Sequence, residues 1–254
     1  NDENTCLKAF QCLINFSIDK SFVMKCVEVN AGRRVFEFLM ENVKPSASSV
    51  RTVNAQIVRD KMTEEGGEFD FYEIKTDQAN SIQTAVMFLS NLAMIEQGQE
   101  HLLGTDKQKG AILENLLGMF NYFKTSEMFD FVANIYANVS SMSAGRIWMV
   151  ESGQLKTVFE ILGGKDANAH RRKHLIECVR NCLFLHEKYE KDLLQLDPVQ
   201  KIARCLVVEH GLTEHSLPEE WQCFAGVCQK EKFASMVDAE NTLNLLDSLV
   251  LLAN

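Results

Sequence analysis

Phe129-Asp130-Phe131-Val132-Ala133-Asn134-Ile135-Tyr136-Ala137-Asn138-Val139-Ser140 is the stretch on which the reading of the chain turns. Its apolar residues follow helical rather than alternating spacing, and the asparagine in Tyr136-Ala137-Asn138-Val139 has counterparts on both sides. They lie in Leu13-Ile14-Asn15-Phe16, Leu89-Ser90-Asn91-Leu92 and Val179-Arg180-Asn181-Cys182-Leu183. The four asparagines are separated by 76, 47 and 43 residues, and the last two spacings match a helical-repeat period of roughly 40 to 47.

Working outward, an apolar residue recurs twelve positions after each asparagine, as Val27, Leu103, Val150 and Leu193. Seven positions on, the second and third copies carry Gly98 and Gly145, each expected to end a helix in the left-handed conformation. A further apolar helix follows in every copy: Val35 to Met40, Ile112 to Phe120, Leu155 to Leu162 and Val199 to Val208. One unit therefore reads helix, turn, helix, turn, helix. It cannot bury its apolar face alone and must stack on its neighbours. The expected fold is all-α, an armadillo or HEAT-like solenoid forming a right-handed superhelix with convex and concave surfaces.

The units run over 5–42, 78–124, 126–164 and 170–209, with a degenerate last one from Pro218 to Leu252. Its stripe of Leu243, Leu245, Leu246, Leu249, Val250 and Leu252 calls for a further partner. The whole of 1–254 is read as one repeat domain, expected to be truncated at both ends. The 76-residue separation exceeds the period by about thirty residues, and the excess falls at 44–77. From Asp60 to Asp77, the acids Asp60, Glu64, Glu65, Glu68, Asp70, Glu73 and Asp77 stand against only Lys61 and Lys75, which reads as an acidic inserted loop with one short helix near Val50 to Lys61.

Lys and Arg total 26 against 35 Asp and Glu, a formal charge of −9. That balance repels phosphate backbones and anionic lipid, so neither nucleic acid nor membrane is an expected partner. No apolar run approaches the roughly 18 residues of a membrane span. The eight cysteines include no CxxC pair, and most sit among apolar neighbours, which fits free thiols in a reducing compartment, cytoplasmic or also nuclear.

No motif points to catalysis, to a cofactor or to a metal. His174, Cys178, Cys182 and His186 follow at steps of four, but twelve helical residues rise about 18 Å and drift around the axis, so the four cannot meet on one ion. At most one adjacent pair could bind, with outside help. Leu162-Gly163-Gly164-Lys165-Asp166 lacks the spacing of a phosphate loop and reads as a helix-ending turn, and His186-Glu187 lacks the second histidine of a zinc-protease helix. The sequons at Asn15 and Asn138 fall inside apolar helices, where a glycan would disrupt packing.

Two features remain for partner binding. The asparagines either bond the adjoining turn at a helix end or line a surface for a bound chain. The basic patch of Lys165, His170, Arg171, Arg172, Lys173, His174 and Arg180 is either a solvated helix start or a dock for an acidic partner surface. Asn91, Asn138, Asn181, Arg171, Arg172 and Arg180 are the candidate partner-binding residues.

The motifs also resemble a known family. Ala85-Val86-Met87-Phe88-Leu89-Ser90-Asn91-Leu92 with Glu96-Gln97-Gly98, the stretch from Phe129 to Ser140 with Gly145-Arg146, and Arg171-Arg172 leading to Val179-Arg180-Asn181-Cys182-Leu183-Phe184 are similar to signatures of the Hgh-one family of armadillo-like cytosolic proteins. The chain looks like a divergent member, with Leu183 in place of the family's second cysteine and no glycine after the paired arginines. The resemblance implies a non-enzymatic folding factor for translation elongation factor two, acting with the cytosolic chaperonin as its second partner. Two alternatives stand beside it: a scaffold subunit of a larger assembly, and a nuclear-import-type peptide receptor. The last needs a tryptophan four residues before each asparagine, where Gln11, Met87, Asn134 and Glu177 stand instead.

Overall fold

The structure, a computed structural model, describes residues 3–45, 72–74, 78–164, 167–209 and 238–253. The chain is an all-α assembly of armadillo/HEAT-like modules, and four of the expected modules emerge nearly to the residue. Helices α1 (Glu3–Phe16), α2 (Lys20–Glu28) and α3 (Ala31–Asn42) form the first. The second holds α4 (Ala79–Leu92), α5 (Glu96–Leu103) and α6 (Ala111–Tyr122). The third holds α7 (Phe131–Ser141), α8 (Ser143–Glu151) and α9 (Gln154–Leu162), and the fourth α10 (Ala169–Leu183), α11 (His186–Leu194) and α12 (Pro198–Glu209). Helix α13 (Ala239–Ala253) follows, and the expected last unit before Asp238 lies outside the described residues.

By its packing the chain divides into two compact units. One comprises Asn1–Leu102 and Asn115–Phe129, the other Leu103–Glu114 and Asp130–Asn254. In the first, α1 and α3 both pack on α4. In the second, α10 lies between α7 and α13, and α12 also packs on α13. The helices that carry the repeat asparagines are thus the ones that stack. Ile82, Ala85, Val86, Phe88, Leu89 and Leu92 of α4 are fully buried, as are Val132, Ala133, Ile135, Tyr136 and Val139 of α7. Each large apolar side chain so removed from water contributes about 1.5–3 kcal/mol, which is why these stretches look apolar nearly all round in sequence.

The inserted loop has a feature that its composition hides. Val43–Pro45 (β1) pairs antiparallel with Tyr72–Ile74 (β2), joining Val43 to Ile74 and Pro45 to Tyr72. Three residues are too few to show an alternating pattern, so the strands escape a periodicity search. The ladder holds the two ends of the insertion side by side. The acidic stretch and the expected short helix near Val50 to Lys61 lie outside the described residues.

Gly98 and Gly145 correct an expectation. Neither ends a helix in the left-handed region; each lies in the first turn of the next helix, α5 or α8. A Cβ on Gly98 would stand 1.8 Å from the Leu92 carbonyl oxygen, and one on Gly145 2.1 Å from that of Val139. The glycines allow the start of one helix to press on the end of the preceding one. The next residue then serves that end: Gln99 Nε2 donates to the Ala93 carbonyl at 2.9 Å, and Arg146 Nη1 donates to the carbonyls of Ser140 and Ser141 at 3.1 and 2.7 Å. Carbonyls that a helix end leaves without partners are satisfied this way.

Candidate functional site

The repeat asparagines are placed by the register of stacked helices. In the first unit, Asn91 Nδ2 on α4 donates to Ser17 Oγ at 2.8 Å, while Ser17 Oγ itself donates to the Ile14 carbonyl at 2.7 Å. The second unit repeats the device. Asn181 Nδ2 on α10 donates to Ser140 Oγ at 3.0 Å, and Ser140 Oγ donates to the Ala137 carbonyl at 2.6 Å. The receiving serine stands two residues after the asparagine of the preceding helix. This accounts for the two sequons, Asn15-Phe16-Ser17 and Asn138-Val139-Ser140: their serines are the acceptors of inter-helix rungs. Copies two and four have Ala93 and Leu183 at that position and supply no such acceptor. Asn91, Asn138 and Asn181 are all half-buried at the helix ends, and for Asn91 and Asn181 the amide N–H is committed to the fold.

Beside three of the four repeat asparagines lies an exposed apolar side chain. The turn residue three positions on is Ile18, Met94 or Phe184 in the first, second and fourth copies, with exposures of 86%, 68% and 49%. The third copy has Ser141, also exposed. Phe16 is exposed as well, and its ring lies 5.5 Å from that of Phe22. Phe184 carries the Arg180 guanidinium over its ring at 5.2 Å. Sequence periodicity finds the asparagines but misses these residues, because apolar turn positions resemble core positions until the packing is known.

The basic patch is spread over several environments. Arg171, a candidate for partner contact, is only 1% exposed. Its Nε donates to Asp130 Oδ1 at 2.6 Å, and Asn168 completes the arrangement by donating from Nδ2 to Asp130 Oδ2 at 2.8 Å while its Oδ1 caps the Arg171 amide at 2.9 Å. The α7–α10 packing therefore takes Arg171 away from any partner, and its role is structural. Arg172 is half-buried and donates to the Ala167 carbonyl at 2.7 Å. Arg180 Nε donates to Asp247 Oδ2 at 3.0 Å, and Lys173 Nζ lies 2.7 Å from Glu240 Oε2. Both pairs join α10 to α13 with the same offset of 67 residues, so the helices run parallel. Lys173 and Arg180 thus face acids of the chain's own α13. Lys165 lies outside the described residues.

A third cluster links α7 to α10 through an amide set between two imidazoles. His170 Nε2 donates to Asn134 Oδ1 at 2.6 Å, and Asn134 Nδ2 donates to His174 Nε2 at 3.0 Å. Having accepted at Nε2, His174 carries its proton on Nδ1, 3.6 Å from Glu177 Oε2. The imidazole holds the Glu177 carboxyl below its usual range. Burial pushes His170 below the ordinary histidine value, and the neighbouring His174 adds to this. Asn134, one of the positions where an import receptor would place tryptophan, is thus occupied by polar inter-helix bonding, and Glu177, another, pairs with His174 within α10.

Of the four residues spaced as a metal motif, His174 turns to Asn134, and His186 Nδ1 faces the Leu183 carbonyl at 3.2 Å. Cys178 and Cys182 point instead into the core against Met149. Among the described residues no group of three His, Cys, Asp or Glu side chains is placed to hold a metal ion, and no helix is long and apolar enough to cross a membrane.

The family described as "Domain of unknown function (DUF383)" matches residues 73–216, more than half of the chain. Neither a curated protein nor a solved structure matches it.

Proposed function

For a chain that belongs to the family described as "Domain of unknown function (DUF383)", we propose a non-enzymatic role as a protein-binding adaptor of the folding machinery. The observation that carries this reading is the recurrence of an exposed apolar turn residue beside a repeat asparagine, at Ile18, Met94 and Phe184. A side chain of that size left in water at the same position of three repeats has no role in the core. It offers a partly folded client an apolar contact, with the carbonyl oxygen of the neighbouring amide as a hydrogen-bond acceptor. Contacts repeated along an array give modest, distributed affinity. By the family resemblance of its motifs, the client is elongation factor two, delivered in the cytosol together with the ring chaperonin.

The binding residues in this reading are Asn91, Asn138 and Asn181 with Ile18, Met94 and Phe184. The test replaces Ile18, Met94 and Phe184 with serine, singly and together, and measures retention of elongation factor two and chaperonin on the immobilised chain. Each single change should weaken capture about fivefold, the worth of one exposed apolar contact of about 1 kcal/mol. Undiminished capture by the folded triple variant would sink the reading. A scaffold role rests on a different observation, the exposure of Leu243 and Leu246 on α13. It predicts a fixed-stoichiometry complex that survives the triple serine change and dissociates on Leu243→Glu.

A further inference from the structure

Three sulfur atoms meet in the core of the second unit. Cys178 Sγ and Cys182 Sγ, one turn apart on α10, lie 3.7 and 3.8 Å from Met149 Sδ on α8. The two thiols also lie within hydrogen-bonding reach of each other. All three side chains are fully buried. With sulfur–metal bonds of roughly 2.3 Å, separations of 3.7 and 3.8 Å between each thiol and the thioether correspond to sulfur–metal–sulfur angles of about 110°. Two thiols and a thioether form a soft donor set with no oxygen or imidazole, which disfavours calcium and magnesium, and three donors fall short of the four that a structural zinc site uses, which leaves Cu(I).

A second observation concerns charge. Arg146 lies one turn before Met149 on α8, and its Nε is shut off from solvent with no hydrogen-bond partner among the described residues. A buried guanidinium N–H without an acceptor costs about 1–3 kcal/mol or more, so its presence asks for a reason. The neighbouring Cys178 and burial hold the Cys182 thiol well above its ordinary range, and the Arg146 guanidinium opposes them only in part.

We propose that Cys178, Cys182 and Met149 form a three-coordinate site for a soft monovalent ion of the Cu(I) type. On loading, each thiol releases its proton to solvent, two thiolate–metal bonds and one thioether–metal bond form, and the oxidation state does not change. Two thiolates and one monovalent cation leave the site with one negative charge, which Arg146 offsets. Because the sulfurs are buried, loading requires local opening of the α8–α10 packing and is slow. Of the series His174, Cys178, Cys182 and His186, the sequence allowed at most one adjacent pair to bind, with outside help; here the pair is Cys178 and Cys182, and the outside donor is a methionine from a neighbouring helix.

The test uses the full chain under anaerobic, reducing conditions, with Cu(I) supplied by a competing chromophoric chelator. The wild-type chain should hold one more equivalent than a Cys178→Ala/Cys182→Ala variant, so that other cysteines cancel in the difference. Bound Cu(I) should also raise the melting temperature of the wild type alone, since a ligand that binds only the folded state stabilises it. Met149→Leu conserves volume and should fold, yet bind the ion at least about tenfold more weakly, with X-ray absorption showing two sulfurs where the wild type shows three. Equal copper content in the wild type and the double cysteine variant overturns the site. So does an unchanged sulfur count in Met149→Leu, which decides the matter if the double variant fails to fold.

Discussion

Replacing Asp130 with alanine strikes the α7–α10 packing at its most enclosed polar point. Asp130 accepts from Arg171 Nε at 2.6 Å and from Asn168 Nδ2 at 2.8 Å, and the Arg171 side chain is 1% exposed. With the carboxylate gone, a guanidinium keeps its charge in a place where water cannot replace the lost oxygen. Breaking a buried ion pair by removing one partner costs about 3–5 kcal/mol. Asn168 also loses the anchor that orients its cap of α10, a contact of the kind worth about 1 kcal/mol. At roughly 2–4 °C per kcal/mol for a chain of this size, the melting temperature should fall by about 10–20 °C. Hydrogen exchange followed by mass spectrometry should localise the loss of protection to α7 and α10, with α1 to α3 unaffected. The double variant Asp130→Leu with Arg171→Met removes both charges together with their desolvation cost, and it should be more stable than Asp130→Ala alone. A loss below about 1 kcal/mol in Asp130→Ala would refute this account of Arg171. So would a double variant that loses the sum of the two single losses.

Two further outcomes follow from the same packing logic. Gly98→Ala, which in an ordinary exposed helix would gain about 1 kcal/mol, should instead destabilise by about 2–4 kcal/mol, because its Cβ would stand 1.8 Å from the Leu92 carbonyl oxygen; a neutral or stabilising result in chemical denaturation contradicts the close approach. His101 has a buried Nε2 without a hydrogen-bond partner among the described residues, its ring lies where a Cβ on Gly32 would be only 2.8 Å away, and burial holds its pKa below the ordinary value. The folded state therefore favours neutral His101, so its contribution is fully present above about pH 6.5 and is lost as the pH falls toward the depressed folded value. His101→Leu should flatten the acid side of the stability–pH curve, and an unchanged slope would show that His101 does not titrate with folding.

The helices and their grouping into modules were legible in the sequence because a stacked amphipathic helix must place apolar residues every three or four positions. A repeated unit must repeat that pattern, and Asn15, Asn91, Asn138 and Asn181 mark its phase. The serines at 17 and 140 were visible too, but only as sequons, since the motif does not say which chain element will approach the hydroxyl. Residue type and spacing likewise exposed the basic patch, while its fate depended on what packed against it.

Which side of a helix a neighbour covers is a tertiary fact, and it separated adjacent arginines into a buried strut at Arg171 and a half-buried one at Arg172. It also supplied the acids that meet Lys173 and Arg180, which come from α13 some 67 residues further along and follow no local pattern. Gly98 and Gly145 announce a backbone requirement in sequence, but only the position of the preceding carbonyl shows that the requirement is space rather than a left-handed turn. The three sulfurs are the clearest case. A four-residue step places Cys178 and Cys182 on one face, and nothing in that step names Met149, because the third donor arrives from another helix through packing. Sequence thus determined what each helix is made of and how often the module recurs. Tertiary structure decided which side chains meet, because register between helices is set by the packing of whole surfaces.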